Sequence, residues 1–213
     1  MSDEVEALRI VAERALKFQQ YILRRAWGLY YAVWSLAFIL WVFLPYSLSI
    51  YYPAAGAFPY LVAYTTPAII GMAATTWIFK RAKATIELKK VAGRIERKKR
   101  PFYRRNYIYF LLFLAILSSA IIFPRHIFYL IYIAFLILVD FEIYWSLKDS
   151  FQKIPAEGYL AVLTLALSIS LTAIAFILLE SFVLLFLGWI PSIAGWLFCS
   201  LYSLYHAPES MVE

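Results

Sequence analysis

The chain has 213 residues, of which 64% are hydrophobic and 15% charged, with a mean hydropathy of +0.74 and a formal net charge of +7. Soluble domains are roughly half apolar and about a quarter charged, so this chain cannot cover itself with polar groups, and its expected solvent is lipid. One cysteine, Cys199, excludes an internal disulfide framework and a Cys-rich zinc site. His126 and His206 each lack a second ligand at helical spacing, so no metal and no cofactor is expected.

The opening residues, MSDEVEALRIVAER, are acidic and amphipathic. They lack the basic start and short apolar run of a secretory signal, so the mature chain is expected to begin near Met1. Residues 1–26 read as a cytoplasmic amphipathic helix. Leu8, Val11, Ala15, Phe18 and Ile22 step by three and four along one face. Acids open this helix and Arg24 and Arg25 close it, as the helix dipole favours. Glu13 and Lys17 have the spacing of a favourable pair. No breaker precedes Gly28.

From residue 27 onward the chain reads as one membrane domain, 27–213, all-α, with six transmembrane helices. The spans run over about 27–50, 59–79, 106–123, 126–147, 159–179 and 182–205. YYPAAGAFP, FPRH and KDSFQKIPAEG punctuate them clearly. The last break is set at Glu180, with a kink at Pro191, in preference to a break at GWIPS. Nineteen of the 20 basic residues then fall on one side, with Arg125 alone on the other. By the positive-inside rule both termini are cytoplasmic and the protein is expected in the plasma membrane. Tyr and Trp cluster at the block ends, as an interfacial aromatic belt requires.

The second span runs without a breaker into FKRAKATIELKKVAGRIERKKRPFYRR. A basic cytoplasmic helix over 80–100 is predicted there, stopped by Pro101. Tethering to two spans accounts for its charge, so anionic lipid headgroups, not nucleic acid, are its expected contact. Its apolar steps suggest a second role. The two cytoplasmic helices can lie flat on the leaflet, or continue their spans as an antiparallel pair. Registered where they leave the membrane, the paired helices set Arg9 against Glu96, Lys17 against Glu87 and Glu6 against Lys99. Leu8 then falls near Ile95, and Phe18 near Leu88. Such a surface also suits a cytoplasmic protein partner or a second copy of the chain.

An ionisable group within the hydrocarbon is a functional candidate by default, and the fourth span supplies Asp140. Tyr144 shares its face. Thr164, Ser168 and Thr172 of the fifth span offer it hydrogen-bond partners. Together they form the candidate intramembrane polar site, for a proton, a cation or the lining of a substrate path. The bland alternative is an interhelical hydrogen bond. Glu142 lies on a nearly opposite face, because two residues turn a helix by about 200°, and its interfacial position already accounts for it. Small residues form two columns, Ala63, Pro67, Gly71, Thr75 and Gly188, Ser192, Gly195, Cys199, which let helices approach closely. No phosphate-binding loop, HExxH, GxSxG or CxxC occurs, so no enzyme is expected.

The layout resembles that of the membrane subunits of ABC-2-type export permeases, although no sequence motif carries the likeness and the chain is short for that family. The resemblance implies an interfacial elbow before the first span and a cytoplasmic loop that couples to an ATPase. The expected function is a membrane transport component, a permease-like subunit whose cytoplasmic helices contact a partner. The alternative is a non-catalytic scaffold or regulatory protein assembling through those helices. The helix pairing has a direct test: reversing either Arg9 or Glu96 weakens assembly or stability, and exchanging the two charges restores it. Failure of that rescue, or no crosslink between cysteines placed at Leu8 and Ile95, excludes the pair.

Overall fold

The computed structural model describes residues 2–54, 56–90, 108–109, 111–116, 118, 124–151, 153–176 and 182–211; the side chains of 2–5, 8, 57, 87–90, 125, 182–185, 210 and 211 lie outside that description. Among the described residues there is no strand. The helices are α1 (Ser2–Tyr51), α2 (Ala57–Lys90), α3 (Arg125–Ser150), α4 (Ala156–Ile174) and α5 (Phe182–His206), followed by a short 3-10 turn, Pro208–Met211. In lipid a backbone must satisfy its own hydrogen bonds, and a helix does so within one segment. Five of these helices are long and apolar enough to cross a bilayer, which marks the chain as a membrane protein. The sixth expected span, 106–123, falls largely outside the described residues, of which 108–109, 111–116 and 118 are helical.

α1 spans 50 residues without a break, about 75 Å at 1.5 Å per residue. α2 likewise continues past its apolar stretch to Lys90. An N-terminal segment continuous with its span cannot also turn to lie flat on the leaflet, so α1 has no elbow of the kind the permease resemblance implies. Glu13 pairs with Arg9 at 3.2 Å rather than with Lys17, because a helical side chain leans over the turn before its own Cα. Of the expected partners, Glu96, Lys99 and Ile95 lie outside the described residues, as do the side chains of Leu8, Glu87 and Leu88. Closer to the membrane, Ile22 and Ala26 of α1 cluster with Ile78, Phe79 and Ala82 of α2.

The helices pack in the order α2, α1, α5, α4, α3. Small residues make the tight seams. Ser192, Cys199, Ser168 and Thr172 are fully buried between α4 and α5. Ser192 donates its backbone N–H to Ser168 Oγ (3.0 Å) and its hydroxyl to the Thr164 carbonyl (3.3 Å). α5 passes through Pro191 as one helix, and the chain between α4 and α5 includes residues outside the description. On α2, the column Ala63, Pro67, Gly71 and Thr75 is buried, and the Trp34 ring of α1 lies over Gly71. α1 meets α5 at Gly28, against Ser203 and Leu204.

Gly195 marks the closest of these approaches. A Cβ there would stand 2.5 Å from Thr164 Cγ2 and 2.8 Å from its Cβ, both parts of a stiff β-branched side chain. Gly195→Ala is expected to lower stability by about 1–3 kcal/mol, measured by thermal unfolding in detergent. Gly56→Ala, whose Cβ would meet nothing within 4 Å, should leave the midpoint unchanged.

Candidate functional site

One face of α1 carries Trp27, Tyr30, Trp34, Phe38 and Trp41, spaced by three and four residues. That spacing keeps all five on a single stripe. The stripe looks into a cavity of about 120 Å³ between the helices. Ala68, Met72 and Thr75 of α2 close one side. Phe135, Val139, Glu142 and Ser146 of α3 close another, while Trp189 and Trp196 come from α5. Tyr109 and Phe113 bring the 108–116 stretch into the wall. Five of the chain's seven tryptophans line this space.

The rings hold one another edge to face and tilted, the arrangements aromatic quadrupoles favour. Trp27 meets Tyr30 at 5.1 Å between centroids, and Phe38 meets Trp189 at 5.1 Å and Trp196 at 5.2 Å. Trp41, Phe113 and Phe135 continue the wall at 5.7 and 6.2 Å. Indole N–H groups lock three of the tryptophans. Trp34 donates to Thr75 Oγ1 (3.0 Å), Trp41 to the Tyr64 carbonyl (2.6 Å) and Trp196 to the Ala161 carbonyl (2.9 Å). The Tyr64 carbonyl lies one residue beyond Ala63, whose own carbonyl loses its helical donor because Pro67 has no N–H.

Among the described lining residues, Glu142 is the one carboxylate. It accepts from the Tyr109 hydroxyl and from Ser146 Oγ, each at 3.3 Å. The Tyr30 phenol lies within electrostatic range of both Glu142 and Asp140. No Lys, Arg or His occurs among the described lining residues. No group of three His, Cys, Asp or Glu side chains suited to a metal occurs among the described residues either.

Asp140 has a buried Oδ1 with no hydrogen-bond partner and does not line the cavity. Tyr144 packs against the main core. Thr164 bonds back to the carbonyls of Leu160 and Ala161, Ser168 serves Ser192, and Thr172 Oγ1 is buried without a partner. The Thr and Ser column therefore faces α5, and Asp140 is not joined to it. The aromatic stripe was readable from its spacing, but its members also suit an interfacial belt. Glu142 gave no comparable signal beyond being a carboxylate in an apolar run.

A second constellation lies where the middle of α1 passes the first turn of α4 and the last turn of α5. Glu157, in the first turn of α4, is 3% exposed. Arg24 holds it with a two-pronged contact, Nε to Oε1 at 2.6 Å and Nη2 to Oε2 at 3.2 Å. The same guanidinium donates to the His206 carbonyl at 3.2 Å, while Ser203 Oγ donates to the Arg24 carbonyl at 2.8 Å. The sequence puts Glu157 in a polar loop and Arg24 at the close of the N-terminal helix, but α1 continues through Arg24 to Tyr51. Nothing in the local pattern links residues 133 positions apart.

Comparison with protein-family models, with curated proteins and with solved structures finds no match. The buried pair has its own test. Glu157→Gln leaves the guanidinium without its counter-charge and is expected to cost about 3–5 kcal/mol. Replacing both Arg24 and Glu157 by Met should recover most of that loss. Thermal unfolding of the purified protein in detergent reads both values.

Proposed function

We propose that this protein is a membrane transport component, permease-like, that receives a small solute in the aromatic cavity between its helices. The cavity carries this reading. Ligand sites are concave, mostly apolar and supplied with a few placed polar groups, and this one has Thr75, Tyr109, Glu142 and Ser146 among its rings. A packed bundle built only for stability has small side chains available to close such a space, as the α4–α5 seam does.

In this reading both termini lie on the cytoplasmic side of the plasma membrane, in keeping with the distribution of Lys and Arg. Arg81 over the Trp77 ring (4.1 Å) and Lys148 over the Trp145 ring (5.6 Å) suit one interfacial level. The basic loop then rests on anionic headgroups. A cytoplasmic partner would be engaged through the extensions of α1 and α2.

A specific observation favours the scaffold alternative. Ile10, Val11 and Leu16 are exposed on the first turns of α1, a surface suited to assembly with a soluble protein or a second copy. The two readings separate in proteoliposomes. Met72→Trp fills the cavity without touching the exposed end of α1. Transport predicts saturable flux of small ammonium-bearing or aromatic solutes by the wild type, reduced about tenfold or more in Met72→Trp, an effect of ~1.4 kcal/mol or greater on the productive complex. Flux that is absent, or unchanged by filling the cavity, excludes the transport reading.

A further inference from the structure

We propose that this cavity takes an uncharged solute built on a single aromatic ring, an assignment that rests on reading the cavity as the solute site. Size sets the first limit. At about 120 Å³ the space is close to that of an engineered ~150 Å³ apolar cavity that admits benzene. One ring of benzene size with a short substituent suits that volume.

The rings of the wall set the second. Ten of the 19 described lining residues are aromatic, and most of the remainder are aliphatic. Phe38 alone meets Trp34, Trp41, Trp189 and Trp196 at 5.1 to 6.2 Å between centroids, edge to face or tilted. A guest ring among them meets the same kind of neighbour. Its edge-to-face and offset contacts add to what area burial alone contributes. Met72 brings a thioether to the same wall, a group that favours ring edges. An aliphatic guest of equal size gains from burial alone.

Charge sets the third. The indole N–H groups of Trp34, Trp41 and Trp196 are spent on protein oxygens. The two Glu142 oxygens accept hydroxyls from Tyr109 and Ser146. A guest without charge, N–H or O–H disturbs none of these bonds. A cation must replace its hydration with ring faces and with oxygens that already serve protein donors, and an incompletely paired buried charge is strongly disfavoured. A neutral ring is therefore the better match. Aromatic faces do attract cations, so a charged ring of the same shape is the decisive competitor.

The test is fluorine NMR of fluorobenzene added to the full-length protein in nanodiscs, with protein-free nanodiscs giving the partition background. Three compounds of matched size compete with it. Toluene is the neutral aromatic, methylcyclohexane lacks the aromatic ring, and N-methylpyridinium keeps that ring with a fixed positive charge. Saturable fluorobenzene binding is expected in the wild type and not in Met72→Trp. Toluene should displace the probe at about a third to a tenth of the bilayer concentration that methylcyclohexane needs. N-methylpyridinium should need an aqueous concentration about tenfold or more above that of toluene. Displacement by methylcyclohexane at or below the bilayer concentration of toluene overturns the aromatic assignment. Displacement by N-methylpyridinium at or below the aqueous concentration of toluene overturns the uncharged one. Either result leaves the cavity standing as a solute site. Saturable binding that persists in Met72→Trp lies outside the cavity and overturns the inference. Absence of saturable fluorobenzene binding in the wild type also overturns it, and the flux comparison in proteoliposomes then decides separately whether the solute site falls with it. The displacement series uses the wild type alone, so it holds even if Met72→Trp fails to fold.

Discussion

The Arg24–Glu157 pair fixes the frame on which the rest of the molecule depends. Two charges at the mouth of an apolar bundle have few alternatives to each other. Separating them leaves at least one buried and unpaired, which costs far more than an exposed pair is worth. The fork geometry, with Nε and Nη2 on separate carboxylate oxygens, fixes orientation as well as distance. Arg24 also binds the last carbonyl of α5, and Ser203 binds Arg24 in return. The middle of α1, the start of α4 and the end of α5 are thereby held in one rotational setting. Arg24 sits three residues before Trp27, so that setting also aims the aromatic stripe of α1.

Around this anchor the bundle divides into two kinds of packing. The α4–α5 seam uses Gly188, Ser192, Gly195 and Cys199 against Thr164, Ser168 and Thr172, and backbones come close enough for a Ser N–H to reach a Ser hydroxyl. Between α1, α2 and α3 the residues are large and flat. Trp and Phe rings meet at fixed angles and cannot collapse onto one another as aliphatic chains do, so the space between them persists. Small residues on one side and rings on the other produce a rigid seam beside an open cavity. The locked indoles of Trp34, Trp41 and Trp196 keep that cavity in shape.

Four polar side-chain atoms are left over among the described residues. Trp27 Nε1, Tyr31 Oη, Asp140 Oδ1 and Thr172 Oγ1 are buried without protein partners, each a cost of about 1–3 kcal/mol. Trp27 and Tyr31 pack within the aromatic core beside the cavity, where an apolar core alone would place hydrocarbon. The protein keeps polar atoms there at the expense of stability.

Much of the fold was legible in the sequence because lipid enforces simple rules. Long apolar runs without internal polar satisfaction must be helices, so the all-helical class followed from composition. Small-residue columns stepping by three and four identified buried faces on α2 and α5, since such spacing returns to one side of a helix. The absence of any breaker before Gly28 left α1 open to run as one helix, and it does. The site was less legible. Asp140 and Glu142 differ by two positions in one apolar run, and depth alone favoured Asp140. Which of the two meets the cavity depends on how α3 is rotated against its neighbours, and that rotation is set by packing with other helices. Glu157 was hidden for the same reason, because its partner lies on another helix far away in sequence. The sequence by itself determined what each helix is and which stripe it carries, because periodicity is a local property. The tertiary structure alone decided which stripes face one another, because that choice is made by side chains meeting across helices.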